Sequence, residues 1–248
     1  MNLISFFLIY YFYVAITVFV IGTVRVLIRW TASQKGKNGT FLGFPYLFTF
    51  PGQNSRLSAL KNILSRVLTF SSMHRDRKDR AISLAFHWSL WIIILAHADI
   101  VLMPFFLTLG VKESTMETIG GTLGTALAIV MIIAGVLLII RRVSNRYIRR
   151  ISNPGDYFSI LLIVAIGLSG LIMRFTLSPF FAYTSVSPFF IALFSGSPLA
   201  PPPVAIFYIH FALTSTLFLY FPLGKFMHPY SFFVNPTLHT ISHEGGNK

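Results

Sequence analysis

Five long apolar stretches organise the chain, at about 3–28, 81–109, 119–140, 157–175 and 204–227, with polar or Pro- and Gly-rich segments between them. Each reaches the roughly 20 residues that a helix needs to cross a bilayer. The pattern predicts an all-α polytopic membrane protein, a bundle of five transmembrane helices forming one membrane domain over 1–248. The first stretch has no charge before Arg25 and no basic residue ahead of its apolar run, so it reads as a permanent span and not a cleaved signal. The segment 29–80 is a long insertion whose KGKNGTFLGFP and FPGQ runs argue against one continuous helix. Within it, RLSALKNILSRVLTF sets apolar residues at helical spacing opposite basic ones, which predicts an interfacial amphipathic helix over 55–70, or a docking surface for a cytoplasmic partner. Residues 178–203, rich in Pro and aromatics, read as irregular structure on the outer face or a partial lid.

Composition supports the membrane reading, with 54% hydrophobic residues, 11% charged and a mean hydropathy of +0.71. The net charge of +13 is concentrated: ten Lys and Arg fall in 29–80 and five in RRVSNRYIRR at 141–150, whereas the opposite side has Lys112 and Arg174 near its loops. Basic residues collect in cytoplasmic loops, which puts the N-terminus outside and the C-terminus in the cytoplasm of a cell-membrane protein. The same placement accounts for the charge by topology and anionic headgroups of membrane lipid, and argues against nucleic acid as a partner. The chain has no cysteine, so it holds neither a disulfide nor a thiolate-bound iron–sulfur cluster; any such cluster belongs to a partner. It also lacks a Gly-rich phosphate loop, an HExxH and a nucleophile elbow.

Against this apolar background stand four histidines: His87 and His97 in FHWSLWIIILAHADIVLM, and His210 and His228 in VAIFYIHFALTSTLFLYFPLGKFMH. A single such histidine can be a hydrogen-bonded core residue, but ionisable groups at membrane depth are costly and mark function. If the second and fifth spans run antiparallel, His87 meets His228 on the cytoplasmic side and His97 meets His210 on the outer side. At about 1.5 Å rise per residue, His87 and His97 lie roughly 15 Å apart, too far to bind one iron together, so each helix gives one ligand to each of two sites. Counted as one helix, His210 and His228 share a face and lie roughly 27 Å apart, which predicts centres on the order of 20 Å apart. Two histidines without a third protein ligand leave most of a zinc or di-iron coordination sphere empty. Haem b fills it, because its porphyrin supplies four nitrogens and requires two axial ones. Bis-histidine ligation leaves no open position and suits electron transfer. Two haem b groups, His87 and His228 on the inner iron and His97 and His210 on the outer, make a wire across the membrane.

The spacing of these histidines, GVLLIIRR at the end of the third span, NPGDYFSILLIVAIGLSGL in the fourth and FPLGKFMH in the fifth together resemble the dihaem cytochrome b subunits related to the gamma subunit of respiratory nitrate reductase. The likeness runs from about 81 to 236. The long basic insertion and the AFHWSL opening of the second span are closer to the cytochrome subunits of sulfite-reductase-associated and heterodisulfide-reductase-like menaquinol complexes. The resemblance implies an oxidoreductase subunit that oxidises quinol from the quinone pool near the outer haem. Electrons then pass through the inner haem to a cytoplasmic iron–sulfur electron-transfer subunit. The implied acceptor is a disulfide or sulfur-cycle intermediate in one subgroup and nitrate in the other.

The resemblance also places a lysine near the quinone, and Lys112 occupies that region, eight residues before Gly120; the bland reading is a lysine snorkelling to headgroups. Two departures stand at the outer site, Ala96 for a glycine and Tyr208 for an arginine. Asp99, the one acid well inside a span, either serves quinol and the outer site or pairs with Arg174. Arg25, Arg29 and Lys225 lie where they would neutralise inner propionates or simply mark topology. His74, His239 and His243 read as exposed, and Trp88 and Trp91 as packing or lipid-facing residues. Gly120, Gly121, Gly124, Gly167 and Gly170 read as points of close approach. A transporter with proton-relaying histidines and a structural anchor are the competing classes. The first predicts carboxylates beside the histidines and broken helices in repeated halves; the second leaves the four histidines unexplained.

Overall fold

A computed structural model describes residues 2–32, 61, 64–65, 67–70, 77–228 and 230. Among them every element is helical: α1 Leu3–Ala32, α2 Arg77–Ala96, α3 Ala98–Thr108, α4 Glu113–Ser144, α5 Arg146–Ile151, α6 Pro154–Thr176, a π-helix Ala182–Val186, α7 Ser187–Phe194, α8 Ala205–Tyr220 and a 3-10 turn Lys225–Met227. Four helices are long and apolar enough to cross a membrane, namely α1, α2, α4 and α6. Ile119, Leu123, Val130, Ile133, Leu137 and Ile140 recur along α4 as exposed apolar residues. A long helix that leaves such side chains uncovered needs lipid around it. This is a membrane protein.

Two expected helices are interrupted. The apolar run 81–109 divides at His97, whose backbone tightens to ψ −14°. There the amide and the ring Nδ1 of His97 both reach the Ile93 carbonyl, at 3.1 and 2.7 Å, and a side chain entering the ladder in this way bends a helix. The run 204–227 is not one helix either: α8 stops at Tyr220, a turn covers Phe221–Gly224, and the 3-10 turn follows. Pro222 has no amide and its ring opposes the carbonyl four residues back, so FPLG ends the helix. The argument that His210 and His228 share a face, and their 27 Å helical rise, therefore fail, because both assume unbroken turns between them. The rise between His87 and His97 is unaffected, since α2 is continuous up to Ala96. The expected amphipathic helix is helical at Lys61, Leu64, Ser65 and Val67 to Thr69; the rest of 55–70, and most of 29–80, lies outside the described residues, as do His74, His239 and His243.

Backbone packing groups the chain into two units, Met1–Ile16 with Ala81–Leu217, and Thr17–Arg80 with Phe218–Lys248. The first holds α4 against α6. Gly135 lies against Val164 and Phe86, Gly167 against Met131 and Ile132, and Met131, Ile163 and Val164 are buried. Lipid gives no hydrophobic drive between helices, so close backbone approach at small residues has to hold the pair. An aromatic cluster completes this unit: Phe211 stacks on Phe12 and Phe207, and Phe189 meets both Phe207 and Phe211 edge-on. The NPGD sequence starts α6 by a capping box, Asn153 accepting from the Asp156 amide and Asp156 from the Asn153 amide. Buried Asp156 also pairs with Arg142 at 3.3 Å. In the second unit Phe19 packs edge-on against Phe218 and Phe221, and Gly22 lies against the Pro222 ring.

Gly135→Ala is expected to destabilise the α4–α6 contact most among the glycines of this pair. Its Cβ would fall 2.6 Å from Val164 Cγ2, and a β-branched side chain has no alternative rotamer to yield. The helices must part, at a cost of about 1–3 kcal/mol. Thermal unfolding in detergent, followed by circular dichroism, should give a clearly lower Tm; an unchanged Tm contradicts this packing.

Candidate metal centre

His97, at the break between α2 and α3, and His210, in the first half of α8, come together. Nδ1 of His97 lies 2.7 Å from the Ile93 carbonyl. A carbonyl only accepts, so Nδ1 carries the proton and Nε2 presents its lone pair. His210 reaches the same state by a different route. Its Nδ1 is 2.9 Å from Ser169 Oγ, and the Ser169 hydroxyl donates to the Ile166 carbonyl at 2.9 Å. With the hydroxyl hydrogen so engaged, Oγ accepts from Nδ1–H, and Nε2 of His210 is again the ligand nitrogen.

The two imidazoles lie nearly parallel, 16° between planes, with ring centres 6.4 Å apart. Two metal–nitrogen bonds of about 2 Å, with roughly 1.2 Å from each nitrogen to its ring centre, span about 6.4 Å. The separation is of the size that two imidazoles would need to share one metal ion. Gly170 borders the His210 ring, with an added Cβ coming 3.5 Å from Cε1. Among the described residues no three of His, Asp and Glu converge as a metal-binding group, so a metal held by this pair needs its remaining ligands from elsewhere. A macrocycle with four in-plane nitrogens meets that need.

His87 and His228 each carry a hydrogen bond of the same kind. His87 Nδ1 lies 2.8 Å from the Ser83 carbonyl, one turn back in α2, with Phe86 and Trp91 edge-on to its ring. His228, which follows the 3-10 turn, places Nδ1 2.6 Å from the Lys225 carbonyl. Both Nδ1 atoms face carbonyls, so in both rings Nε2 is the nitrogen suited to a metal. Arg25 and Arg29 sit in the last turns of α1, and Lys225 is exposed three residues before His228.

The His97–His210 pair borders a polar cluster, in which the Asp99–Arg174 pairing, one of the two alternatives for Asp99, is not formed. Arg174 forms its ion pair with Glu117 and not with Asp99. Asp99 instead accepts from the Tyr183 hydroxyl at 2.9 Å. Gly120 and Gly121 make room for the two pairs in turn: a Cβ at Gly120 would come 3.2 Å from Asp99 Oδ2, and one at Gly121 2.7 Å from Glu117 Oε1 and 2.8 Å from Arg174 Nη2. No such neighbour lies within 4 Å of Gly124. Tyr183 is in the connection between α6 and α8, where burial first, and then the Asp99 charge, push its phenol above the ordinary range, so the hydroxyl keeps its proton and donates. Lys112 is exposed ahead of α4, about 12 Å of helical rise from Gly120. Tyr208 lines a cavity of about 450 Å³ with Asn2, Ser5, Phe181, Ser185 and Pro201. Ser169, Glu117 and Tyr183 were not foreseen; the serine of GLSGL and the GG pair of α4 were the available signals.

Comparison with known proteins decides the family. The profile described as nitrate reductase gamma subunit matches residues 37–240. The chain belongs to the nitrate reductase gamma subunit family. It is 29% identical to the Hdr-like menaquinol oxidoreductase cytochrome b-like subunit of Archaeoglobus fulgidus, over 91% of this chain and 76% of that protein. The counterpart of the same name from Archaeoglobus profundus is 24% identical over the same shares. The nitrate reductase gamma chain of Bacillus subtilis is 28% identical over 65% of this chain and 76% of that protein. As a member of this family the chain is an oxidoreductase-complex subunit of the cytochrome b type.

Proposed function

We propose that the chain is a dihaem cytochrome b that oxidises quinol, menaquinol by the relatives' names, near the outer face. It then passes the electrons to a cytoplasmic iron–sulfur subunit of a heterodisulfide-reductase-like or sulfur-cycle complex. The observation that carries this reading is the outer pair: parallel imidazoles 6.4 Å apart, both protonated at Nδ1 by their hydrogen bonds. In this reading His97 and His210 hold the outer haem b, His87 and His228 the inner one, and the segment around α8 provides a fifth crossing. A haem held by two histidines would supply reversible one-electron chemistry. The chain's own residues do the rest. The Ile93, Ser83 and Lys225 carbonyls and Ser169 orient the ligand rings, while Asp99 and Lys112 belong to the quinol side, where Asp99 accepts a hydrogen bond from a quinol hydroxyl. The basic segments keep the N-terminus outside and the C-terminus in the cytoplasm. Quinol protons then leave on the outer side while electrons move inward. Membership as the gamma subunit of a nitrate reductase is the second reading, favoured by the Bacillus subtilis relative.

Anaerobic addition of a reduced naphthoquinol to the complex in sealed vesicles tests the reading. Rapid reduction of b-type haem, with acid release on the outer side, is expected; absence of haem reduction, or acid release on the inner side, contradicts it.

Ser169→Ala removes the acceptor of the His210 Nδ1 proton without touching the ligand nitrogen. A metal-bound imidazole loses basicity when that hydrogen bond goes, and such changes cost on the order of 10–100-fold in metal affinity or activity. The outer haem should wash out more readily and titrate at a higher potential, as read by potentiometric optical titration; an unaltered midpoint contradicts the role.

A further inference from the structure

Resting on the quinol-oxidising reading above, we propose that Tyr183 is the positioning residue of the quinol site, holding the Asp99 carboxylate at the angle from which it meets a quinol hydroxyl. Four observations converge on it. First, Tyr183 is carried by a π-helix, Ala182–Val186, in the connection between α6 and α8. Single π turns are rare and recur at functional sites, because the widened turn re-aims one side chain. Second, Tyr183 is 4% exposed, and its hydroxyl, the one polar handle on a buried ring, is spent on Asp99 Oδ2. Third, Gly120 leaves the space this pair occupies, since a Cβ there would approach Asp99 Oδ2 to 3.2 Å and the Tyr183 hydroxyl to 3.6 Å. Fourth, the nearby guanidinium of Arg174 is taken by Glu117, on the face that Gly121 opens.

Asp99 is thereby held by a neutral donor rather than by a cation. A carboxylate offers about four lone-pair positions, so the Tyr183 hydroxyl leaves it able to accept from a quinol. A guanidinium in place of the phenol would claim both oxygens at once. The side chain starts two residues beyond His97 on the same bend, which puts any quinol bound to it beside the outer ligand pair. The phenol fixes the rotamer; the carboxylate touches the quinol.

The test compares Tyr183→Phe, Asp99→Leu and the double variant in the intact complex. The half-saturating menadiol concentration and the limiting rate of haem reduction are measured by stopped flow, with haem counted in each preparation. Tyr183→Phe is expected to keep the full haem content. It should raise half-saturation about tenfold, the loss of one hydrogen bond to a charged group, with a smaller change in limiting rate. In the Asp99→Leu background it should have no further effect, because the group it positions is gone. Unchanged half-saturation in Tyr183→Phe, or effects that multiply in the double variant, overturns the proposal. If Tyr183→Phe does not assemble, Gly120→Ala presses on the same pair without deleting it: half-saturation should rise there too, and an unchanged value overturns the assignment. Failure of the underlying reading looks different, since the unsubstituted complex would then hold no haem or take no electrons from menadiol.

Discussion

Replacing His97 or His210 by alanine is expected to remove one haem of two and to lower quinol oxidation by more than about 100-fold, the upper end of what loss of a supporting residue alone costs a metal site. Each substitution leaves the other histidine's own hydrogen bond in place, Ser169 on His210 in His97→Ala and the Ile93 carbonyl on His97 in His210→Ala. What is lost is one of the two imidazoles whose ring centres lie 6.4 Å apart. A histidine left alone holds iron from one side only, so occupancy falls or the remaining haem turns high-spin, and electron paramagnetic resonance separates the two outcomes. The inner haem should persist at full occupancy and still accept electrons from dithionite. Loss of both haems together would mean that the bundle assembles around them as one cooperative unit.

His87→Ala or His228→Ala is expected to give the complementary phenotype. Quinol should still reduce the outer haem, with about half the absorbance change, while turnover with the natural acceptor falls by more than about 100-fold. The argument is geometric: α2 is unbroken between His87 and His97, so roughly 15 Å of helical rise separates them, too far for one residue to substitute for the other on a single iron. Stopped-flow reduction by menadiol beside steady-state turnover distinguishes this from damage to the quinol site. Equal loss of both activities in His87→Ala contradicts the assignment of that residue to a second, inner centre.

The sequence made the membrane helices legible because lipid imposes a length and a polarity that composition alone meets: the runs at 119–140 and 157–175 appear as α4 and α6, α4 extended by six residues at its start and four at its end, α6 by three and one. It was less informative where side chains act on the backbone. His97 bends its helix by drawing on the Ile93 carbonyl, and FPLG ends α8 at Tyr220; a hydropathy run registers neither, although Pro222 was in plain view. At the site, histidines stand out because nothing else in those spans is polar. The partner of Asp99 does not stand out. Opposite charge offered Arg174 as one of two alternatives, but Glu117 lies a helical turn before Gly121 on α4 and takes it, leaving Asp99 to a tyrosine from a connection with no periodicity to read. Pairings of this kind depend on which helices touch. In the first unit that is decided by where Gly135 and Gly167 let α4 and α6 approach.

The most direct measurement is a dithionite-reduced minus oxidised optical spectrum of the purified protein, with a pyridine haemochrome assay to count haem per polypeptide. The account predicts two low-spin b haems per chain. A chain that carries none, when expressed with adequate haem, contradicts it at the root, and a single haem contradicts the two-centre wire.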